Sequence, residues 1–583
     1  MRPKTFIFFA ITCISVVASA GLDDDILEDF STVKGNGNYI IQLSPDTSIK
    51  SFVPKLIDGA FEIFSQSMGN DKLEVKKNKI VRRDDQTDQL HVFDAYNFGQ
   101  HFKGITVKFE DINIVRDLAL LFADNILKII PDQDIEFNLP TPSNKKSKLN
   151  KRYHARAKQA SSQRIERRGN FDPDTYEDDE FEAASVKKKT YKKKTHKKTS
   201  VKKAVYKKHT TTKKKHTTTK KHTTVNKKKK TTTKKHTTTK KKHTTTKKHT
   251  TTKTKHTTTK KHTTTVTKGS KTTTSSSATP TKNVVSSSDY AKQANAEWNL
   301  IRISQHKRNL AQPYIYNTKA GSDAYVYVID DGMNIGHVEF EGRASWGWSA
   351  YDGASPLGEG HGTHVAGIIG GKTYGVAKKA NLIAVQVLNE SGKGSISSLL
   401  SGLQWVTTHA KDHQGKAVIN MSLGMKTAGV TDSALSALNK AIDAVVASGV
   451  PLFAAAGNWG TVDACDVLPA GNKNVYTVGA TDKNDAMTDF SSYGKCVQIL
   501  APGDNILSSY IESKTSTIRM SGTSMASPHA AGVAALLIGQ INNATPAKVY
   551  NEVTTLATKG VISSISHDTV NRLLFNGQKL SNA

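Results

Sequence analysis

Between Val186 and Val285 the sequence holds 35 lysines and no aspartate or glutamate. Stretches such as KKHTTTKTKHTTTKKHTTT, residues 247–265, repeat Lys, His and Thr, with histidines alternately seven and six residues apart from His236 to His262. No apolar residue recurs there at helical or strand spacing, so nothing offsets the chain entropy that folding would remove. The segment is expected to be disordered. It divides the 583-residue chain into an N-terminal and a C-terminal part, each of which has to build its own core. It also localises the charge. The formal net charge is +32, so the rest of the chain, without those 35 lysines, stands at −3. The folded parts are therefore not expected to bind nucleic acid specifically.

Arg2 and Lys4, the apolar run from Phe6 to Val17 and the small-x-small Ala18-Ser19-Ala20 read as a secretory signal peptide, residues 1–20. That run is too short to span a bilayer, and no later run is long enough, so a soluble protein without a transmembrane segment is expected. The destination is the extracellular space or, alternatively, the vacuole. Of three cysteines, Cys13 leaves with the signal. Cys465 and Cys496 can then pair in an oxidising compartment or remain as two buried thiols. A bridge there would contribute about 3–4 kcal/mol on a chain-entropy argument.

Residues 38–138 read as a small α+β domain. NYIIQL, LHVFDAYN and KGITVKFE are strand-like. Phe52, Val53, Leu56, Ile57, Ala60, Phe61 and Phe64 fall on one face of a helix, and a second helix fits Ile114 to Ala123. ILKII with DIEF supplies a closing strand, giving the ferredoxin-like order βαββαβ. Residues 139–288 form the linker, with dibasic pairs Lys151-Arg152 and Arg167-Arg168 ahead of the basic tract. Ordinary globular composition returns at Asp289 and runs to residue 583.

The chemistry lies in that last part. Asp330 ends the apolar strand AYVYVI and is followed by Asp331-Gly332. Ligands of parallel α/β sheets bind at the carboxyl ends of strands, although a strand-end Asp also serves as a turn or cap residue. In EGHGTHVAGIIGG, His361 stands where a loop becomes a helix, and Gly362, Ala366 and Gly367 permit close packing. His364 follows at i+3 without the Glu of a zincin motif, and reads as a packed helical histidine rather than a metal ligand. PLFAAAGNWG is an apolar strand ending at Gly457-Asn458, where the Asn side chain is an oxyanion donor or a plain turn residue. In MSGTSMASPHAAGVAALLIGQ, Gly522 allows a sharp turn that sets Ser524 at the mouth of a long apolar helix. Free N–H groups and a partial positive charge gather there, suiting a nucleophile whose substrate becomes an oxyanion.

Asp330, His361 and Ser524, in that order, resemble the triad of the subtilisin-type serine proteases. VIDDG, HGTHVAG and SGTSMASPHAAG resemble the family's three signature blocks. QANAEWNLIRIS, HVEFEGRA and APGDNILSSY are similar to further stretches of its fungal branch, which includes proteinase K and cerevisin. The resemblance runs from about residue 290 to the C-terminus. It implies a subtilisin-like parallel sheet flanked by helices, residues 289–583, and a serine endopeptidase working through an acyl-enzyme. The catalytic triad would be Asp330, His361 and Ser524, and the oxyanion donor Asn458. Substrate would add as a strand beside Ser422, Leu423, Gly424, Gly392 and Gly394. Ala454, Ala455 and Gly457 would form a first pocket without fixed charge, favouring apolar or aromatic residues before the cut. DACD and GKCVQILAPG resemble the cerevisin-like branch and support pairing of Cys465 with Cys496.

The same resemblance, looser at FKGITVKF, implies that residues 38–138 are an inhibitor prodomain of the I9 type, which assists folding and then blocks the cleft. Two positions depart from the family pattern. Val365 replaces a cysteine often found beside the catalytic histidine, so thiol sensitivity is not expected. Gln498 replaces a calcium-binding Asp, so calcium is not expected at that site; calcium elsewhere stays open, and no cofactor or metal ligand is assigned. The partners expected are polypeptide substrates, the chain's own prodomain and, through the Lys-rich tract, anionic cell-wall polymers, with the enzyme a monomer. The competing reading is a non-enzymatic secreted polycation with a protease-like fold.

Overall fold

The computed structural model describes residues 35–68, 91–109, 112–137, 139–140, 289–351, 355–566 and 568–578. The signal peptide, the dibasic pairs and the Lys/His/Thr tract lie outside these residues. The N-terminal part runs β1 (Asn38–Leu43), α1 (Ile49–Met68), β2 (His91–Asn97), β3 (Lys103–Lys108), α2 (Ile112–Leu121), β4 (Ile126–Pro131) and β5 (Asp134–Glu136). Its antiparallel sheet has the order β2-β3-β1-β4. Period-two alternation gives each face its own task. Ile41, Leu43, Ile105, Val107 and Ile129 pack with Phe52, Val53 and Leu56 of α1 and with Val115 and Leu118 of α2. Ile40, Tyr96 and Ile130 face the other way.

The C-terminal part begins with the antiparallel pair β6 (Tyr290–Gln293) and β7 (Tyr314–Asn317). Next come β8 (Tyr325–Asp330), β9 (Ala344–Ser349), α3 (His361–Gly370), β10 (Asn381–Gln386), β11 (Lys393–Ser395), α4 (Ile396–His409), β12 (Ala417–Met421) and α5 (Asp432–Ala447). The chain continues through β13 (Leu452–Ala455), β14 (Tyr476–Thr481), β15 (Ile499–Pro502), α6 (Thr523–Ile538), α7 (Pro546–Leu556), β16 (Thr558–Lys559) and β17 (Arg572–Leu573). The central sheet has the order β16-β17-β15-β14-β13-β12-β8-β10-β9 and is parallel except where β16 meets β17. Apolar residues of α3 and α6 fill one face, and those of α4 and α5 the other. From β8 the chain winds first toward β9 and β10, then returns to β12. The end of β8, where Asp330 stands, is therefore a switch point at which a crevice opens.

The two parts meet over α4 and α5. Ile40, Tyr96, Phe98, Phe102 and Ile130 join the same apolar cluster as Leu399, Leu403, Ala437 and Ala441. The closing strand read from ILKII and DIEF is in fact two strands. β4 ends at Pro131, and the next residues serve the other part of the molecule. The Asp132 carboxylate accepts from Ser397 N at 3.0 Å and from Ser397 Oγ at 2.7 Å, at the first turn of α4. Gln133 Oε1 accepts from Thr431 N at 3.0 Å, at the start of α5. Each satisfies N–H groups that a helix cannot pair internally. β5 then leaves its own sheet and pairs antiparallel with β11, Ile135 opposite Gly394.

Candidate active site

Asp330 and His361 come from successive crossings of the sheet. Asp330 is fully buried at the end of β8, and its Oδ1 accepts from Asp331 N at 2.8 Å. His361 opens α3 just after Gly360, whose φ of 99° suits glycine. Gly362 is needed for space, because a Cβ there would stand 2.2 Å from Gly332 O. The His361 ring is only 2% exposed, with Nδ1 2.8 Å from Asp330 Oδ1. That contact fixes the tautomer, with Nδ1–H donating to the carboxylate and Nε2 turned away from it. Nε2 has no hydrogen-bond partner among the described residues.

Asp331 is a part of this site that the sequence reading missed. Its Oδ2 accepts from Glu359 N at 2.8 Å and His361 N at 3.2 Å, and its Oδ1 from Gly362 N at 2.7 Å. It thus holds the loop and first turn that carry His361. Burial, and next the charge of Asp330, push its carboxyl up to about 7, against the opposing pull of His361 and the N–H groups of Gly362 and Glu359. For His361, burial acts downward. Asp330, through charge and hydrogen bond, with Asp331 and Glu359, outweighs it, so the imidazole lies above its ordinary value. The adjacent carboxylates in VIDDG were the available signal.

Ser524 is the second residue of α6 and 2% exposed. Its Oγ donates to Ser422 O at 2.9 Å, and Ser422 Oγ donates to Ser524 O at 2.8 Å. Asn420 Nδ2 donates to Ser422 Oγ and Ser527 Oγ donates to Asn420 Oδ1, both at 2.9 Å, tying β12 to α6. Gly522 precedes α6 with an extended φ of 166°, a conformation open to any residue. Space is what requires the glycine, for a Cβ there would stand 2.5 Å from Pro140 Cγ and 3.3 Å from Asn458 Nδ2.

Asn458 follows Gly457, which has φ 109°. Asn458 Oδ1 accepts from Thr523 N at 2.7 Å and Thr523 Oγ1 at 2.9 Å, which presents the Nδ2 donor on the side of Gly522. Thr523, another residue missed from sequence, also accepts from Gly457 N at 3.1 Å. Ala454 and Ala455 end β13, both buried, and Ser422, Leu423 and Gly424 continue from β12. Gly392 and Gly394 flank Lys393, and β5 pairs with that strand. Beside β5 lies a cleft of about 510 Å³ lined by Gln133, Ile135, Phe137, Met425 and Trp459.

The chain belongs to the subtilase family. Its family model, peptidase S8, matches residues 321–574. Subtilisin-like protease 2 of Pseudogymnoascus destructans is 44% identical over 286 residues, 49% of this chain and 68% of that protein. Alkaline protease 1 of Aspergillus clavatus is 46% identical over 287 residues, again 49% and 68%. The cuticle-degrading protease of Metarhizium anisopliae is 44% identical over 292 residues, 50% of this chain and 72% of that protein. This subtilase is accordingly a serine-type endopeptidase.

Other residues singled out in the sequence have structural partners. His364 Nε2 lies 3.1 and 3.0 Å from the carbonyls of Ile506 and Ile518, and burial pulls its pKa down to about 3. Gln498 Oε1 accepts from Thr477 N at 2.6 Å. Among the described residues of this subtilase, no three His, Cys, Asp or Glu side chains gather as a metal set. Cys465 and Cys496 form a disulfide with Cα atoms 5.3 Å apart.

Proposed function

We propose that the chain is the zymogen of a secreted or vacuolar endopeptidase in which Asp330, His361 and Ser524 form the triad. The observation that carries this is the 2.8 Å Asp330–His361 pair at the sheet's switch point, with His361 on a helix packed against the helix whose first turn holds Ser524. Ser524 Oγ turns from the Ser422 carbonyl to His361 Nε2, gives up its proton there and attacks the scissile carbonyl. Asp330 holds the imidazole in the receiving tautomer and stabilises it once charged. Asn458 Nδ2 and the Ser524 N–H stabilise the oxyanion. His361 then protonates the leaving amine, and water hydrolyses the acyl-enzyme. Extended peptide adds along β11 and Ser422–Gly424. Ala454, Ala455 and Gly457 favour an apolar or aromatic residue before the cut.

Residues 38–138 act as the inhibitor in this reading. Their support is the β5–β11 pairing, which fills the strand position that substrate would take, and the two side chains that cap α4 and α5. The Lys/His/Thr tract is proposed to bind anionic surface polymers, an attraction that salt should weaken. The test of the function is hydrolysis of apolar-P1 peptides after removal of residues 38–138. Wild type should cleave them and Ser524→Ala should lose the activity. Equal turnover by both proteins would refute the assignment.

A further inference from the structure

The chain segment that lies beside Gly522, two residues before the candidate nucleophile, does not adjoin the start of the C-terminal fold but lies about 150 residues before it. β5 runs antiparallel to β11 with Ile135 opposite Gly394 and Glu136 opposite Lys393, so its direction carries the following residues toward Gly392. Leu139 is found there, its Cδ1 3.0 Å from where a Cβ on Gly392 would stand. One residue on, Pro140 Cγ lies 2.5 Å from the Cβ position of Gly522, and Asn458 Nδ2 lies 3.3 Å from that point. Gly522 is two residues before Ser524. Leu139 and Pro140 therefore lie at the corner made by Gly392, Asn458 and Gly522.

Residues 289–293 are held elsewhere. β6 pairs with β7 from Tyr290–Asn317 to Gln293–Tyr314. Asp289 O accepts from Thr318 N at 2.8 Å, and Gln293 Nε2 donates to Thr373 O at 3.1 Å. This strand would have to unpair before any of its peptide bonds could reach Ser524 of the same molecule.

We infer that the chain cuts itself between Phe137 and Pro140, so that the mature protease keeps the 35-lysine segment as an N-terminal extension. This rests on the triad and zymogen readings proposed above. Ser524 Oγ bonds to the carbonyl carbon of the scissile peptide while His361 takes the hydroxyl proton. The C–N bond breaks, and His361 returns that proton to the departing amine, which becomes the new N-terminus of the half bearing the tract. One water then releases the N-terminal half as a carboxylic acid and restores the Ser524 hydroxyl. The protease is thereby joined covalently to a polycation.

The test is N-terminal sequencing and intact mass of the full chain purified from a secreting host, wild type beside Ser524→Ala. Wild type should yield a chain that begins at residue 138, 139 or 140 and binds a sulfonate cation exchanger, while Ser524→Ala stays joined at these bonds. A wild-type chain that begins at 289–293, or a cut at 137–140 in both proteins, would overturn the inference. Should Ser524→Ala fail to fold, Leu139→Asp, on a tail outside both sheets, should slow the cut tenfold or more, and an unchanged rate counts against it. Fluorophosphonate labelling of Ser524 on the same samples separates the two claims. Labelled protein with its N-terminus at 289–293 sinks only this inference, whereas absence of labelling once residues 38–138 are removed sinks the protease reading.

Discussion

Asp331 and Asp330 are neighbours in sequence with separate tasks. Asp330 meets the imidazole, whereas Asp331 meets the backbone that carries it. Asp331 also adds negative charge beside His361, a smaller contribution than that of Asp330. A general base must be neutral, so kcat/KM should fall as pH drops through an apparent value above the ordinary histidine range of about 6.5. Asp331→Asn removes one upward influence, so the acidic limb should move to lower pH; a purely structural role for Asp331 would leave the limb in place. The limb belongs to a coupled set, with Asp330, Glu359 and Tyr510 also near Asp331 or His361. Asn458→Ala should reduce kcat by about 10²–10³ with little change in KM, checked by steady-state kinetics on one peptide. At this scale the pairing of Asp330 with His361 was legible, because the neighbouring glycines and small residues mark both positions. Asp331 and Thr523 were not, because their role is to bond backbone from another element, and pattern within one segment does not reveal that.

At the scale of elements, the N-terminal half was legible where one face repeats with a fixed period. The expected helix at 52–64 is part of the longer Ile49–Met68, and that expected at 114–123 is Ile112–Leu121. The closing strand was misread as one element because ILKII and DIEF are both strand-like. Whether a short strand stays in its own sheet depends on its partner, and that partner, Lys393–Ser395, lies far along the chain. Between the two strands, Asp132 caps α4. Replacing such a cap with alanine removes about 0.5–2 kcal/mol. Asp132→Ala should therefore loosen the hold of residues 38–138 by roughly two- to thirty-fold. The full chain should then label with a fluorophosphonate sooner after secretion than wild type; an unchanged time course would argue against the cap's contribution to inhibition.

Across the whole molecule, a charged, low-complexity tract separates one part that docks from one that carries the site. The three signature blocks were enough to assign the C-terminal fold. What composition could not supply was the contact between the parts, which is made by Tyr96, Phe98 and Phe102 on the sheet face turned toward α4 and α5. The Cys465–Cys496 bridge spans 31 residues of this part. Removing it with Cys465→Ser and Cys496→Ser should lower stability by about 3–4 kcal/mol on the loop-entropy argument, read from denaturant unfolding of the Ser524→Ala background. The measurement that bears most directly on the central claim is covalent labelling by a fluorophosphonate, with the modified residue located by mass spectrometry after residues 38–138 are removed. Label on Ser524 alone, lost in His361→Ala as well as in Ser524→Ala, is the predicted result. Label on another serine, or equal labelling of Ser524 without His361, would contradict the triad.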